Sequence, residues 1–264
     1  MLPYVSFPTL GPITSFGICA FLGAHFGSVA ANRHAHRLGL DPAAVRRMIA
    51  FCAIGGILGA HLIDLFFYQP GWYERDGALW TFLNPFAGIS SYGGLLGGTL
   101  GFLVFARKRR GMRLRFADVG AIGVVVLLMF GRAGCASVHD HVGVATDFAL
   151  AVDFPRGSAA GVAGPHHDLG LYEFALFALV LAPLAWLLAR KVKTPGVLLG
   201  VVALGYAVPR FFLDFLRREL DNPRYAALTP AQWGCLATVV AAAIVLVTRK
   251  PQRPASSRSP AAVV

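Results

Sequence analysis

The sequence contains few charged residues for its length. Of its 264 residues, 14% are charged, whereas about 25% is usual for a soluble domain. Hydrophobic residues make up 56% and aromatic residues 12%, and the mean hydropathy is +0.61. This composition argues against an ordinary soluble domain, and its apolar and aromatic content excludes a disordered chain.

The sequence also lacks clustered cysteine motifs, and we expect no cleavable leader. The four cysteines, Cys19, Cys52, Cys135 and Cys235, show no CxxC or CxxH spacing, so neither a zinc knuckle nor a disulfide framework is predicted. The N-terminus has no basic stretch ahead of its first apolar run, and we expect that run to stay in the membrane. The net charge of +11 comes from short basic clusters between apolar runs, a membrane pattern that predicts no nucleic-acid partner.

The apolar runs predict an all-α, polytopic integral membrane protein with about seven transmembrane helices. We expect one transmembrane domain over residues 1–250, with an extracytoplasmic loop at 131–168 and a disordered cytoplasmic tail at 251–264. The predicted spans are residues 11–31, 48–68, 90–106, 116–130, 169–189, 196–215 and 232–247.

The distribution of charge predicts an orientation. One alternating set of connections carries 17 Lys and Arg residues and the other carries 6. The positive-inside rule then puts the N-terminus outside and the C-terminus in the cytoplasm. In that arrangement only Asp41 and Asp118 among the acids face the cytoplasm. Any chemistry is therefore expected at the extracytoplasmic face.

Two arginines are the strongest candidates for binding an anion. Arg132 ends the fourth predicted span between glycines, and guanidinium groups suit phosphate. The structural alternative is an arginine that snorkels to the interface. Arg210 lies within an apolar run beside Pro209, which is expected to kink the helix. Its spacing to Asp214 and Arg217 places all three on one helical face, and the alternative there is a structural Arg210–Asp214 ion pair.

The remaining polar positions allow both functional and structural interpretations. Glu173, at the start of the fifth span, either takes part in a site or complements the helix dipole, and His167 is either a proton acceptor or a cap. Glycines at 93, 97 and 101 predict close helix packing. His61 is expected to face the bundle interior. A zinc site is a minor alternative, built from two segments, 139–141 and 166–168.

Five motifs together resemble the prolipoprotein diacylglyceryl transferase family, over most of the chain. GRAGCASVHDHVG (residues 131–143) is similar to the family signature G-R-x-G-N-F-x-N-x-E-x-x-G. YGGL (92–95), HDLGLYE (167–173), YAVPRFFLDFLR (206–217) and GAHL (59–62) are similar to the family's H-G-G-L, H-P-S-Q-L-Y-E, Y-G-x-x-R-x-x-x-E-F-x-R and G-A-R-L. The sequence departs from the family where Tyr92 replaces histidine, Cys135 and Val138 replace asparagines, and Phe16 replaces tyrosine.

The resemblance implies a multi-pass enzyme of the bacterial cytoplasmic (inner) membrane, active at its extracytoplasmic face. It implies transfer of the diacylglyceryl group from phosphatidylglycerol to the lipobox cysteine of an exported prolipoprotein, with membrane lipids around it and no metal or organic cofactor. Catalytic roles are implied for Arg132, Arg210, Tyr92 and His167. Substrate binding is implied for Gly93, Gly94, Gly131, Gly134, Asp140, Gly143, Tyr172, Glu173, Asp214, Arg217 and His61.

Two questions stay open at the level of sequence. With the family histidine replaced by tyrosine, the general base is one of His61, His139, His141 or His167. The altered motif also allows a catalytically inactive paralogue that binds phospholipid or lipoprotein. A small-solute transporter is a third possibility, although transporters commonly show internal repeats and polar groups at the midplane.

Overall fold

The computed structural model describes residues 1–5, 7, 14–69, 71–74, 77–84, 88–218 and 223–248. The predicted tail at 251–264 and the first residues of the first predicted span lie outside these ranges. In the described part, seven long helical rods occur close to the seven predicted positions. Their bounds are α1 Ser15–Arg37, α2 Pro42–Ile63 with a π-helical turn Asp64–Tyr68, α4 Ser91–Ala106, α5 Arg113–Val138, α6 Leu169–Leu176 continuing through a π-helical turn Phe177–Leu181 into α7 Ala182–Lys191, α8 Val197–Leu213 with a 3₁₀ turn Asp214–Leu216, and α9 Pro230–Val247; a short helix, α3 Ala78–Leu83, precedes α4.

The helices have the length and surface of membrane-spanning segments. Among the described residues, five rods are long and apolar enough to cross a bilayer, and Ser91–Ala106 is a shorter apolar helix. Large apolar side chains point outward, for example Phe21, Leu179 and Val247, which are 71%, 76% and 86% exposed. Such a continuous apolar exterior is stable only against lipid. The chain is therefore a polytopic helical membrane protein, as predicted.

Small residues determine how closely two of the rods approach. α2 and α4 make the most extensive helix pairing, followed by α1 with α5. A Cβ on Gly97 would overlap the carbonyl oxygen of Gly55, and one on Gly93 would overlap that of Gly59. Backbones can approach this closely only where side chains are absent. The predicted packing role of the glycine stripe is confirmed.

The connection predicted at 131–168 differs in two respects. α5 continues to Val138, so Arg132 lies inside the helix rather than at its end. The segment that follows α5 contains three short strands, β2 Val142–Ala145, β3 Val152–Phe154 and β4 Gly164–Asp168. Together with β1, Leu2–Pro3, near the N-terminus, they form a small sheet of order β1-β3-β4-β2. Strand β1 runs parallel to β3, and the other pairs are antiparallel. These strands are too short to show an alternating pattern in the sequence.

The basic connections gather at the end of the bundle opposite the sheet. A buried cluster that includes Ala35, Leu40, Phe105 and Phe116 joins the ends of α1, α2, α4 and α5 there. Asp118 accepts hydrogen bonds from the backbone N–H groups of 196 and 199, which fixes the start of α8 at the same end. The sheet, the C-terminal end of α5 and the start of α6 lie at the other end, which holds the candidate site.

Candidate active site

Arg132 lies at the centre of a buried polar cluster. Its side chain is 2% exposed, because α5 carries it into the bundle rather than to the surface. Its Nε lies 2.9 Å from Glu173 Oε2, and its Nη2 donates to Ser91 Oγ over 3.1 Å. Nη1 lies 3.1 Å from His141 Nε2. All three guanidinium nitrogens are therefore engaged, which contradicts the snorkelling interpretation.

Glu173 joins the two predicted arginines. Its side chain is fully buried on α6. Its Oε1 lies 3.4 Å from Arg210 Nε on α8, and its Oε2 accepts from Tyr206 OH over 3.4 Å. Arg132 and Arg210, from separate helices, thus meet at one carboxylate. The helix-dipole interpretation of Glu173 is wrong, because it lies beyond the first turn of α6 and its charge is compensated by arginine.

A second carboxylate extends the cluster along α8. Arg210 Nη1 and Arg217 Nε both lie 2.7 Å from Asp214 Oδ1. The predicted Arg210–Asp214 pair is therefore confirmed. The predicted common helical face is wrong for Arg217, because α8 ends at Leu213 and Arg217 follows the 3₁₀ turn in extended backbone. The Thr229 hydroxyl donates to the other oxygen of Asp214, and Thr229 is also the N-cap of α9. The start of α9 thus holds Asp214 in place.

Guanidinium groups dominate the part of the cluster that the structure describes. Three guanidinium groups, from Arg132, Arg210 and Arg217, meet two buried carboxylates, from Glu173 and Asp214. Desolvated positive charge is costly unless it is paired, and preorganised guanidinium groups stabilise phosphate strongly where water is excluded. The cluster is therefore suited to a phosphate-bearing headgroup.

The chain turns sharply after α5 and returns to Arg132. His139 adopts a left-handed conformation, with φ 51°, at the end of the helix. Asp140 and His141 follow, and His141 Nδ1 lies 2.5 Å from Asp140 Oδ1. Burial lowers the pKa of His141, and the positive charges of Arg217 and Arg132 lower it further against the opposing effect of Asp140. His141 is therefore neutral at pH 7.

His139 is bonded in a different way from His141. Its Nδ1 donates to Asp168 Oδ2 over 2.6 Å, and its Nε2 donates to the carbonyl of Val5 over 3.2 Å. Because both partners are acceptors, the imidazole is held as a cation. The hydrogen bond to Asp168 raises the pKa of His139 accordingly. This residue fastens the N-terminal segment to the sheet.

The structure brings together a different set of possible metal ligands from the set that the sequence suggested. Ligand atoms of Cys135, Asp140 and His141 lie within 4.8 Å of one another, whereas His139 and Asp168 pair with each other. A guanidinium nitrogen of Arg132 lies 3.1 Å from His141 Nε2 and 3.8 Å from Cys135 Sγ. This fixed positive charge opposes a cation at that point.

Tyr92 and His61 are predicted site residues whose described hydrogen bonds lie outside the arginine–glutamate cluster. Tyr92 OH lies 2.6 Å from Cys235 Sγ, and its ring stacks on that of Tyr206, with the ring centroids 6.2 Å apart. The described hydrogen bonds of Tyr92 do not include one to Arg132 or Arg210. His61 is buried as predicted, and its Nε2 lies 3.0 Å from the carbonyl of Phe82 in α3. Catalytic or binding roles for both remain predictions.

His167 and Tyr172 form a pair beside an apolar groove. His167 Nδ1 lies 3.0 Å from Tyr172 OH, and burial lowers the pKa of His167. Asp168, rather than His167, caps α6. The groove has a volume of about 580 Å³ and is lined by Tyr172, Phe148 and apolar side chains of α6 and α8. The described contacts of His167 thus lie on the groove side and do not include the guanidinium groups.

The predicted glycines differ in their surroundings. A Cβ on Gly134 would lie 3.0 Å from the Phe16 ring of α1, whereas Gly131 and Gly94 have more room. Gly143 bridges to Arg217, and a Cβ there would lie 2.5 Å from a backbone oxygen. Gly143 therefore joins the returning segment to the cluster. Substrate binding by any of these glycines stays a prediction.

Sequence reasoning missed Ser91, Tyr206 and Thr229 as members of the cluster. Ser91 stands between Ser90 and Tyr92, and Tyr206 opens the motif at 206–217, but only the fold shows what either hydroxyl faces. Thr229 could have been found, because Thr229 and Gln232 have the spacing of a capping box, and both of its reciprocal hydrogen bonds are present. That motif marks the start of α9 and hence the support of Asp214.

The fold and the site define a polytopic helical membrane protein with a buried arginine–glutamate cluster. A family profile described as prolipoprotein diacylglyceryl transferase matches residues 5–248. The chain belongs to this family.

Two curated relatives share that description. A phosphatidylglycerol–prolipoprotein diacylglyceryl transferase of Roseobacter denitrificans is 37% identical over 191 residues, which cover 68% of this chain and 63% of that protein. The protein of the same name from Chromohalobacter salexigens is 32% identical over 224 residues, covering 84% of this chain and 80% of that one.

Proposed function

We propose that this membrane transferase moves the diacylglyceryl group of phosphatidylglycerol to the lipobox cysteine thiol of exported prolipoproteins, releasing glycerol phosphate. The observation that carries the proposal is the convergence of Arg132 and Arg210 on Glu173, from three separate helices, in a buried site. This geometry needs precise packing of α5, α6 and α8. Burial of the two guanidinium groups is also costly, and the binding of an anion is a reason to keep them there.

The residues divide the chemical work between binding and charge stabilisation. Arg132 and Arg210 hold the phosphate of the lipid, and Asp214 and Glu173 hold the guanidinium groups in position. As the bond between the glyceryl carbon and the phosphate oxygen breaks, negative charge grows on the leaving phosphate. Fixed guanidinium donors stabilise that charge more than they stabilise the starting diester, which lowers the barrier. The lipid itself supplies the transferred group, so the reaction requires no organic cofactor.

The test is transfer of radiolabelled diacylglycerol from phosphatidylglycerol to a lipobox peptide by the purified protein. We expect Arg132→Gln and Arg210→Gln each to lower kcat by about 10²–10³-fold, which is the cost of removing one charge-stabilising donor. Arg156→Gln is the matched control, because it removes the same charge from an exposed position in the sheet segment. This control should retain wild-type activity.

The outcome also distinguishes the alternatives. Phosphatidylglycerol binding without transfer by the wild-type protein would identify a non-catalytic lipid-binding paralogue. Binding and transfer that both survive Arg132→Gln would contradict the assigned role of the cluster. A zwitterionic phospholipid should serve poorly as donor, because the guanidinium groups of Arg132 and Arg210 would repel its ammonium group.

The proposed location is the bacterial inner membrane, with the N-terminus outside, the C-terminus in the cytoplasm and the cluster at the extracytoplasmic face. The positive-inside count supports this orientation, since the basic connections and the cluster lie at opposite ends of the bundle. A C-terminal green fluorescent protein fusion should fluoresce, whereas an alkaline phosphatase fusion at the same point should be inactive. The reverse pattern would place the cluster on the wrong side for exported substrates.

A further inference from the structure

His141 occupies a place beside the cluster that none of the motif residues of the family fills. In the signature pattern its position is unspecified, between the acidic residue and the final glycine. In the structure its Nε2 lies 3.1 Å from Arg132 Nη1, and its Nδ1 lies 2.5 Å from Asp140 Oδ1. Its side chain is 19% exposed and that of Asp140 is 42% exposed. The pair therefore lies at the opening of an otherwise buried site.

These contacts fix the tautomer of the imidazole. A guanidinium group can only donate, so His141 Nε2 accepts from Arg132, and the proton resides on Nδ1, where it is donated to Asp140. A carboxylate that holds Nδ1–H and leaves Nε2 as an acceptor is the arrangement of a general base. The lone pair of Nε2 points toward Arg132 Nη1, next to the place where the lipid phosphate is proposed to bind.

We propose that His141, oriented by Asp140, is the general base that accepts the proton of the substrate thiol. This inference rests on the proposed function. The S–H bond breaks and its proton goes to His141 Nε2, while the sulfur forms a bond to the glyceryl carbon. The carbon–oxygen bond to phosphate breaks, and its electron pair leaves with glycerol phosphate. The proton then passes to the product phosphate or to water, and His141 returns to its neutral form.

Binding of the lipid phosphate makes His141 more basic at the moment when it is needed. In the absence of an anion, Arg132 engages Nε2 and disfavours a second positive charge. A phosphate bound to Arg132 draws its donors away and neutralises its charge, so Nε2 is released and protonation becomes favourable. The groups that face His141 and take part in this balance are Arg132, Arg217, Asp140, Glu173 and Cys135.

The other candidate histidines are engaged elsewhere in the described structure. His139 is held as a cation by two acceptors. His61 contacts a carbonyl of α3, and His167 contacts Tyr172 beside the groove. Only for His141, among the histidines in the ranges that the structure describes, is a contact to Arg132 or Arg210 found.

The experiment measures kcat against pH for the wild type, His141→Gln and the control His166→Gln, with labelled phosphatidylglycerol and a lipobox peptide. We expect His141→Gln to lower kcat at pH 7 by about 10²-fold or more, with lipid binding unchanged. Its rate should rise with pH until the thiol itself ionises, near its ordinary value of about 8.5. His166 is half-buried in β4, and its Nδ1 lies 3.1 Å from the carbonyl oxygen of Gly164. The His166→Gln variant should therefore match the wild type.

A selenocysteine form of the peptide separates a base from a structural residue. A selenol is already ionised at neutral pH, so it needs no base, and His141→Gln should then recover to within about tenfold of the wild type. Asp140→Asn should give an intermediate loss, because His141 remains but loses its orientation. Thermal unfolding in detergent identifies any variant that fails to fold, in which case Asp140→Asn carries the test.

Three results would overturn the assignment. They are a fully active His141→Gln variant, an equal deficit with thiol and selenol peptides, and wild-type activity that is lost on chelation and restored by zinc. The last would mean that Cys135, Asp140 and His141 bind a metal. A wild-type protein that transfers nothing to either peptide would instead contradict the proposed function.

Discussion

Replacing Glu173 with glutamine should destabilise the protein strongly although it changes no volume. Glu173 compensates guanidinium groups 2.9 Å and 3.4 Å away, and it is fully buried. Breaking a buried ion pair from one side costs about 3–5 kcal/mol, because the remaining charge is left uncompensated. Glutamine keeps a hydrogen-bond acceptor, so we expect about 3 kcal/mol. At about 2–4 °C per kcal/mol for a chain of this size, Tm should fall by about 6–12 °C.

The assay is thermal unfolding in detergent followed by tryptophan fluorescence, for Glu173→Gln, Arg132→Gln and the double variant. If the carboxylate and the guanidinium stabilise each other, the double variant loses less than the sum of the single losses, by about 1 kcal/mol or more. Asp153→Asn is the control, because it removes an exposed carboxylate from β3. Additive losses, or a Glu173→Gln variant as stable as the control, would refute the reasoning.

Three further variants test the packing, the sheet and the support of Asp214. Gly97→Ala should cost about 1–3 kcal/mol by overpacking against the facing helix, whereas Gly98→Ala, where a methyl group would meet its nearest atom at 3.5 Å, should cost little. Because the pKa of His139 is raised, its contribution to stability is complete below its ordinary pKa of 6.5 and is lost as pH rises through the higher folded value. The Tm difference between wild type and His139→Gln should therefore shrink above pH 6.5. Thr229→Ala should cost about 1–2 kcal/mol through loss of the cap and of its bond to Asp214, and a Tm measurement should show that Thr229→Ser does not.

The sequence predicted the helices well because apolar length alone determines membrane spans. Where it erred, a polar residue interrupted the apolar run, as at Arg132, and the helix was ended too early. A hydropathy profile treats a charged residue as the end of a span, although the helix continues beyond it when the charge is paired inside the bundle. The short strands around β3 were not predicted, because three to five residues give no period from which to infer a strand.

The candidate site was predictable in its charges but not in its partners. Arg210 was singled out because a charge within an apolar run is rare and costly. Arg132 and Glu173 stood at the ends of predicted spans and were singled out by guanidinium chemistry and by the motif resemblance. Their common meeting point depends on the crossing of α5, α6 and α8, which no local pattern encodes. His141 was one of four equivalent histidines in the sequence, and only the return of the chain after His139 sets it apart.

That return of the chain keeps two residues of the candidate site close together. Arg132 and His141 are nine residues apart and belong to one covalent stretch, bent once at the left-handed residue. The short segment that joins them limits how far the two side chains can separate, even when the neighbouring helices move. If the helices part to admit a two-tailed lipid, Arg132 and His141 therefore stay close to each other.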